Sequence, residues 1–395
     1  MPHLHRLAAT LIVAAVAVGL LLPPDGHGRR AGTTRRAGVT AAVSAAGNGA
    51  AGGGGPWDGA AAPARGAGDG AGRGRRAVAP PGPAQAAPAV PAFDRARAAA
   101  VARAADANEL GQVPILMIHR VLARPKASLD RTPAQLYAEF TRLAQEGYVP
   151  VTAAEFVTGT MNVPAGRHPV VLTFDDGSPT HLAFDAAGVP EPDTAVGVIE
   201  RVAREHPGFR PVATFFVNAG PFALGDRAAA ALRWLVQHGF EVANHTAHHR
   251  DLAGMDHGGV AEEIGADQKM ITAATAIPPV TFAFPFGAPA RLSWAGHGSA
   301  GGARWDFRGM FLAGWRPADS PFEKDYDPRQ IPRIRDDGRV RQDDCRRFCS
   351  IAWLDWLARH PDKRYTSDGD PATVAFPRAK MIYLAESFVA RACPY

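Results

Sequence analysis

Between residues 23 and 104 the sequence almost lacks large apolar side chains, with Trp57 and Phe93 its only large aromatics. Ala, Gly, Pro and Arg dominate there, and such a composition exposes too little apolar surface to offset the entropy of ordering. It excludes a packed domain and predicts a disordered linker over residues 23–107. Lysine is missing from the first 105 residues, which carry twelve Arg and four Asp, a balance of +8. The whole chain of 395 residues carries +5, so the remainder stands at −3 and the basicity belongs to the tail. A basic tail suits an anionic surface such as wall polymer, membrane or nucleic acid, or reflects coding bias and solubility alone.

Cysteine is scarce: Cys345, Cys349 and Cys393, all near the C-terminus. The CxxxC spacing has no companion ligands nearby, which speaks against a zinc knot and for a disulfide in an oxidising compartment with one cysteine left over. The alternative is three buried thiols. A cleavage site is lacking as well. Arg6 precedes an apolar run over residues 7–22, broken only by Thr10 and Gly19, but Pro23, Pro24 and Asp25 follow it and no lipobox cysteine is present. Residues 1–22 therefore read as a signal peptide or, better, an uncleaved signal anchor. This predicts an extracytoplasmic, membrane-anchored protein at the cell surface, in contact with membrane through its N-terminal segment and with no nucleic acid partner.

What the chain does have is one stretch, residues 108–395, long enough to bury a substantial core. β-Branched runs at 113–118, 170–174, 212–217, 241–244 and 281–284 alternate with helical periodicity at 194–205, 228–238 and 260–276. A further helix is announced by Thr132 as cap and Pro133 in the first turn, and is stopped by Gly147. This rhythm predicts a parallel sheet with helices outside, as a barrel or an open sheet, with the chemistry on loops after strand ends.

Two motifs sit at such ends. Thr173-Phe174-Asp175-Asp176-Gly177 offers adjacent carboxylates pointing different ways, one for a cation and one for substrate, or else a common Asp-Gly turn. Asn244-His245-Thr246-Ala247-His248-His249 puts His245 and His249 four apart, facing one way if on a helical turn. With a carboxylate they make three ligands and leave an open position; a surface histidine cluster is the alternative.

Together these motifs resemble the polysaccharide deacetylases of the NodB homology type, closest to the branch acting on poly-N-acetylglucosamine. The resemblance implies a distorted (β/α) barrel of the α/β class as the catalytic domain over 108–395. It implies Asp175 as catalytic base and Asp176, His245 and His249 as ligands of a divalent metal, Zn²⁺ in the first place, with Co²⁺ or Ni²⁺ as substitutes. The family's arginine motif corresponds to Phe282-Ala283-Phe284-Pro285-Phe286-Gly287, where Ala283 replaces the arginine that orients the base. Arg333 is the candidate replacement, a salt bridge at the domain surface its alternative role. No histidine lies near Tyr383, where the family places its general acid, so His119, at the end of the first strand, takes that part, or else is a structural histidine. Pro285, Gly287 and Trp315 are candidates for substrate contact, and Trp305, Phe286 and Tyr326 are aromatics for sugar stacking or core. The expected partner is an N-acetylated polysaccharide such as peptidoglycan, a chitin-like polymer or poly-N-acetylglucosamine, bound by a monomer. Competing readings are a wall-binding protein without turnover and an O-deacetylase of acetylxylan.

Overall fold

The computed structural model describes residues 94–395 apart from 291, 340 and 341. The expected export segment, residues 1–22, and the linker up to residue 93 lie outside the described residues. The linker boundary at 107 is corrected: Arg95–Ala104 is a helix (α1), opened by Asp94, whose side chain accepts a hydrogen bond from the Arg97 amide. Small residues let it sit close, and Ala102 and Ala107 are buried against Ala375 and Cys393. Composition hid this helix because its packing face is made of alanine.

The domain core then follows as β1 (Ile115–Ile118), α2 (Pro133–Gln145), β2 (Tyr148–Val151), α3 (Ala153–Thr158), β3 (His168–Phe174), α4 (Ala195–Glu205), β4 (Thr214–Val217), α5 (Ala228–Gln237), β5 (Glu241–Asn244), α6 (His257–Thr275) and β6 (Thr281–Ala283). Helix α2 begins with a capping box in which Thr132 accepts from the Gln135 amide and the Gln135 side chain accepts from the Thr132 amide, satisfying two orphan donors at once. Beyond β6 come α7 (Leu292–Ala295), an antiparallel pair β7 (His297–Ala300) and β8 (Ala303–Asp306), then β9 (Gly309–Phe311) and β10 (Ile334–Arg335). Helices α8 (Cys345–Phe348) and α9 (Ser350–Arg359) precede a last parallel pair, β11 (Val374–Phe376) and β12 (Ala392–Pro394).

The main sheet runs β10–β1–β3–β4–β5–β6–β9 with every pairing parallel, and β2 adds to the first half of β3. Its two edges meet in one segment. Ile331 bridges Phe311 of β9, with Leu312 donating to the Ile331 carbonyl, and three residues later Ile334 pairs with Leu116 of β1. That seam closes a distorted (β/α) barrel. Strand side chains alternate between two buried layers, as a sheet covered on both faces requires. Ile115, Val171, Phe216, Ala243, Ala283, Phe311 and Ile331 fill the interior, while Leu116, Leu172, Phe174, Phe215 and Val242 pack under the helices.

The C-terminal segment closes the barrel at the N-terminal strand ends, where Asn108 bridges Thr366 and the ring of His168, the first residue of β3, meets the Tyr365 carbonyl. Glu109 is buried in this plug and accepts from the Ala375 amide at 2.8 Å, Tyr365 Oη at 3.1 Å and Ser367 Oγ at 3.3 Å. Burial, then the charge of Asp368, pushes its carboxyl up to about 8 against hydrogen bonds that pull it down. Because this pKa is raised on folding, the favourable contribution is complete below the unfolded value of 4.5 and is lost as pH rises through about 8. Glu109→Gln removes the ionisation but keeps an acceptor. The variant should therefore gain on the parent between pH 5 and pH 8.5 in urea melts, by roughly 3–5 kcal/mol at the limit. Parallel pH profiles for the two proteins would contradict this.

Candidate metal centre

The end of β3 separates its two carboxylates. The ladder continues as far as Asp175, whose amide donates to the Ile118 carbonyl, and leaves this residue 2% exposed. Asp176 (φ +76°) and Gly177 (φ +58°) then turn the chain through left-handed conformations, and the Asp176 carboxylate comes out 40% exposed. Left-handed backbone is costly for most residues but mild for Asp and free for Gly, so Asp-Asp-Gly suits this bend.

The histidine segment is not a helical turn, contrary to the expectation from its spacing. Residues 245–249 form a loop in which Thr246 (φ +67°) and His249 (φ +51°) are left-handed. Helix α6 and Asn218 shape it. The His245 amide donates to Asp267 Oδ2 at 3.1 Å, the Ala247 amide to the Glu263 carbonyl at 3.0 Å and the His248 amide to Glu263 Oε2 at 2.9 Å. Asn218 Nδ2 donates to the carbonyls of His245 at 2.7 Å and Thr246 at 2.8 Å. Burial pushes the Asp267 carboxyl well above the usual carboxylate range. Asn218, Glu263 and Asp267 carry no signal in the motif itself, and only the fold brings them under the loop.

This loop aims both imidazoles at Asp176. His245 Nδ1 donates to the Ala283 carbonyl at 2.8 Å, which leaves the Nε2 lone pair facing Asp176 Oδ1 at 3.5 Å. His249 Nε2 stands 3.3 Å from the same oxygen. The ligand atoms of the three residues lie within 4.8 Å of one another. Separations of 3.3 and 3.5 Å are about the edge of a tetrahedron with bonds of about 2.0–2.1 Å, so the donor set fits a small divalent cation. Burial, then His245, lowers the His249 pKa, which favours the neutral form that a ligand needs. Burial acting alone would raise Asp176, but the neighbouring imidazoles, His245 first among them, outweigh it and hold the carboxyl below its ordinary range. A second group, Asp337 with Cys345 and Cys349, also comes within 4.8 Å, but its sulfurs are joined in a disulfide and Cys393 is the free, buried thiol.

Arg333 is fully buried, so the surface salt bridge is not its role. Its Nη1 and Nη2 donate to Asp175 Oδ1 and Oδ2 at 2.6 and 2.7 Å, Nη1 also reaches Thr173 Oγ1 at 3.1 Å, and Nε donates to the Leu312 carbonyl at 2.8 Å. The guanidinium lies over the Phe216 ring, which shares the interior layer with Ala283. A planar fork on a carboxylate fixes both distance and plane. Burial would raise the Asp175 carboxyl; Arg333 first, and His245 next, outweigh this and hold it below the usual carboxylate range. The seam segment delivers this arginine, and its backbone runs against Gly314, where a Cβ would meet the Arg333 carbonyl oxygen at 1.8 Å and nitrogen at 2.0 Å.

His119 follows β1 at the same end of the barrel. Its carbonyl accepts from His181 Nε2 at 2.7 Å, while its own Nδ1 has no hydrogen-bond partner among the described residues. Burial pushes His119 below the usual histidine range, against the pull of Asp175 and Asp176. Pro285 is buried and opens a tight turn in which Phe286 (φ +58°) is 59% exposed, its ring 4.6 Å edge-on from His249. Gly287 (φ +64°) packs where a Cβ would lie 2.6 Å from the Ala313 nitrogen. Trp315 stands apart from this group: its carbonyl accepts from Trp353 Nε1 and its ring lies under Arg316. Trp305 is buried in the core, its Nε1 donating to the Ala295 carbonyl, and Tyr326 packs edge-on against Phe156.

Residues 162–302, which carry both motifs, match the model of the polysaccharide deacetylase family. No curated protein matches the chain. Among solved structures the chain is similar to the deacetylase PplD of Streptococcus pyogenes in complex with acetate, at 18% identity and a TM-score of 0.46 over 58% of this chain and 94% of that one. It is similar to the polysaccharide deacetylase BC0361 of Bacillus cereus at 19% identity and 0.42, covering 57% of this chain and 65% of the other's length, and to IcaB of Ammonifex degensii at 18% and 0.38, over 57% and 91%. The match to the polysaccharide deacetylase family thus covers residues 162–302, the part of the barrel that carries both motifs.

Proposed function

We propose that the chain hydrolyses N-acetyl groups from an acetamido-sugar polymer, with a divalent cation, Zn²⁺ first among them, held by Asp176, His245 and His249. One observation carries this reading. Two neighbouring carboxylates occupy different environments, Asp176 among imidazoles and Asp175 on a buried arginine. When bound, the cation supplies Lewis acidity, polarising the acetamide carbonyl and lowering the pKa of a water molecule.

The remaining chemistry belongs to side chains of the chain. Asp175 stays ionised, and Arg333 engages only two of a carboxylate's roughly four lone-pair positions, so the carboxylate still accepts a proton. It lies 4.0 Å from His245 Nε2, close enough to serve a nucleophile at the cluster and, on its arginine, free of ligand duty. His119, whose Nδ1 has no hydrogen-bond partner among the described residues, passes to the departing amine the proton that Asp175 takes from the attacking water. Phe286 at the rim offers a flat apolar face to a sugar ring. A binding protein without turnover takes Ala283 as its premise; Arg333 on Asp175 supports the catalytic reading instead. Placement outside the cell and anchorage to membrane are proposed from the apolar run over residues 7–22.

Acetate release by the zinc-loaded chain should be measured on chitin oligomers, peptidoglycan, poly-N-acetylglucosamine and acetylxylan. Release from at least one N-acetylated polymer, faster than from acetylxylan, is expected; no release from any of them would end the hydrolytic reading, and release from acetylxylan alone would end the amide one.

Roles within the site separate by metal content. His245→Ala and His249→Ala should lose stoichiometric metal, whereas Asp175→Asn should retain it and lose about 10²-fold or more in kcat. An Asp175→Asn protein purified without metal would show that the two carboxylates have been given each other's parts.

His119→Ala should lower kcat on the amide about 10²-fold, the contribution of a positioned acid, with metal content unchanged. On an aryl acetate, whose leaving group needs no proton, the loss should shrink. Equal losses on both substrates would assign His119 a purely structural place.

A further inference from the structure

The arginine that orients Asp175 stands immediately before the shortest strand of the sheet. Strand β10 has two residues and two register pairs with β1, Leu116 with Ile334 and Met117 with Arg335. Such a strand has little hold of its own, so what grips its flanks decides where Arg333 sits. Upstream, Ile331 is bonded into β9. Downstream, the Asp336 amide donates to the Met117 carbonyl, and the buried Asp336 carboxylate pairs with buried Arg131 and accepts from Ser350 Oγ at 3.0 Å. Arg335 pairs through its backbone with Cys349, and its Nη2 lies 3.6 Å from both Cys345 Sγ and Cys349 Sγ and 2.7 Å from Asp344 Oδ2. Cys345 and Cys349 are buried and joined. They bracket α8, a four-residue helix too short to persist alone.

We propose that the Cys345–Cys349 disulfide is the positioning device that keeps Arg333 on Asp175, and so makes turnover at this site sensitive to reductant. The cross-link closes a loop so short that it removes little entropy from the unfolded chain, and its weight is therefore local. It fixes Cys349 against Arg335, and Ser350 next to it against Asp336, which together clamp the end of the seam. A metal at Asp337, Cys345 and Cys349 is disfavoured, because Arg335 and Arg339 both lie on Asp337 and would repel a cation. Reduction by an external phosphine in water transfers two electrons: the sulfur–sulfur bond breaks, two thiols form, and the phosphine leaves as its oxide. Residues 331–337 then lose their clamp and Arg333 drifts from the plane of Asp175, a displacement of the kind that costs far more in rate than in stability.

The proposal rests on the hydrolytic reading above, and its test has one arm independent of activity. The full chain is compared oxidised, treated with a water-soluble phosphine, and as the double variant Cys345→Ser/Cys349→Ser. Hydrogen exchange in 331–337 should quicken about tenfold on loss of the disulfide while 241–249 stays protected, and metal content should not change. Acetate release should fall about tenfold with Arg333 present and less than about twofold in an Arg333→Ala background, since the clamp acts only through that side chain. Unchanged exchange in 331–337 overturns the proposal whatever the activity. An equal fall in both backgrounds overturns it too, by showing a structural effect unrelated to Arg333. A chain that releases no acetate even when oxidised contradicts the hydrolytic reading, and the exchange arm then decides the clamp by itself.

Discussion

A buried, two-pronged ion pair between Arg333 and Asp175 ties the barrel to its site. Taking two charges out of water is expensive and is offset only when geometry is good and every remaining donor is satisfied. Here the guanidinium also reaches Thr173 and the Leu312 carbonyl, and the segment that carries it, from Ile331 to Ile334, is the one joining the two edges of the sheet. Closing the barrel and orienting the carboxylate are thus one event. The same pair engages Asp175 while Asp176 faces the imidazoles, and this division puts two adjacent aspartates in unlike surroundings.

The second constraint is the shape of the histidine loop. Four apart in sequence, His245 and His249 converge on Asp176 because α6 and Asn218 hold the loop through its backbone, with two residues in left-handed conformations. Buried Asp267, its carboxyl pushed above the usual range by that burial, accepts from the His245 amide and so fixes the start of the loop. The site is therefore built on packed helix and strand termini rather than on a free loop, as precise chemistry needs.

Much of this was legible in the sequence. Long apolar strands read correctly: the runs at 170–174, 212–217 and 281–284 overlap β3, β4 and β6, and the Thr132 cap marks α2 to the residue. The later strands β7 to β12 escaped because they take their place from tertiary contacts rather than from a β-branched run of their own. Asp175, Asp176, His245 and His249 stood out as motifs, yet the spacing of the histidines suggested a helical turn that left-handed Thr246 and His249 rule out. Arg333 was a candidate by its absence elsewhere, but nothing local distinguishes it from a surface arginine, since only the seam buries it. Gly314, which its backbone abuts, has no signature either, and α1 was hidden in an alanine-rich tract.

The account stands most directly on one arrangement, that a cation sits on Asp176, His245 and His249 while Asp175 remains on Arg333. A crystal structure of the zinc-loaded chain, with the ion located by its anomalous scattering, measures this outright. The expected result is zinc about 2.0–2.2 Å from one Asp176 oxygen and one nitrogen of each histidine, with both Arg333–Asp175 hydrogen bonds intact. Zinc bound through the Asp175 carboxylate with Arg333 displaced, or bound away from these residues, would contradict it.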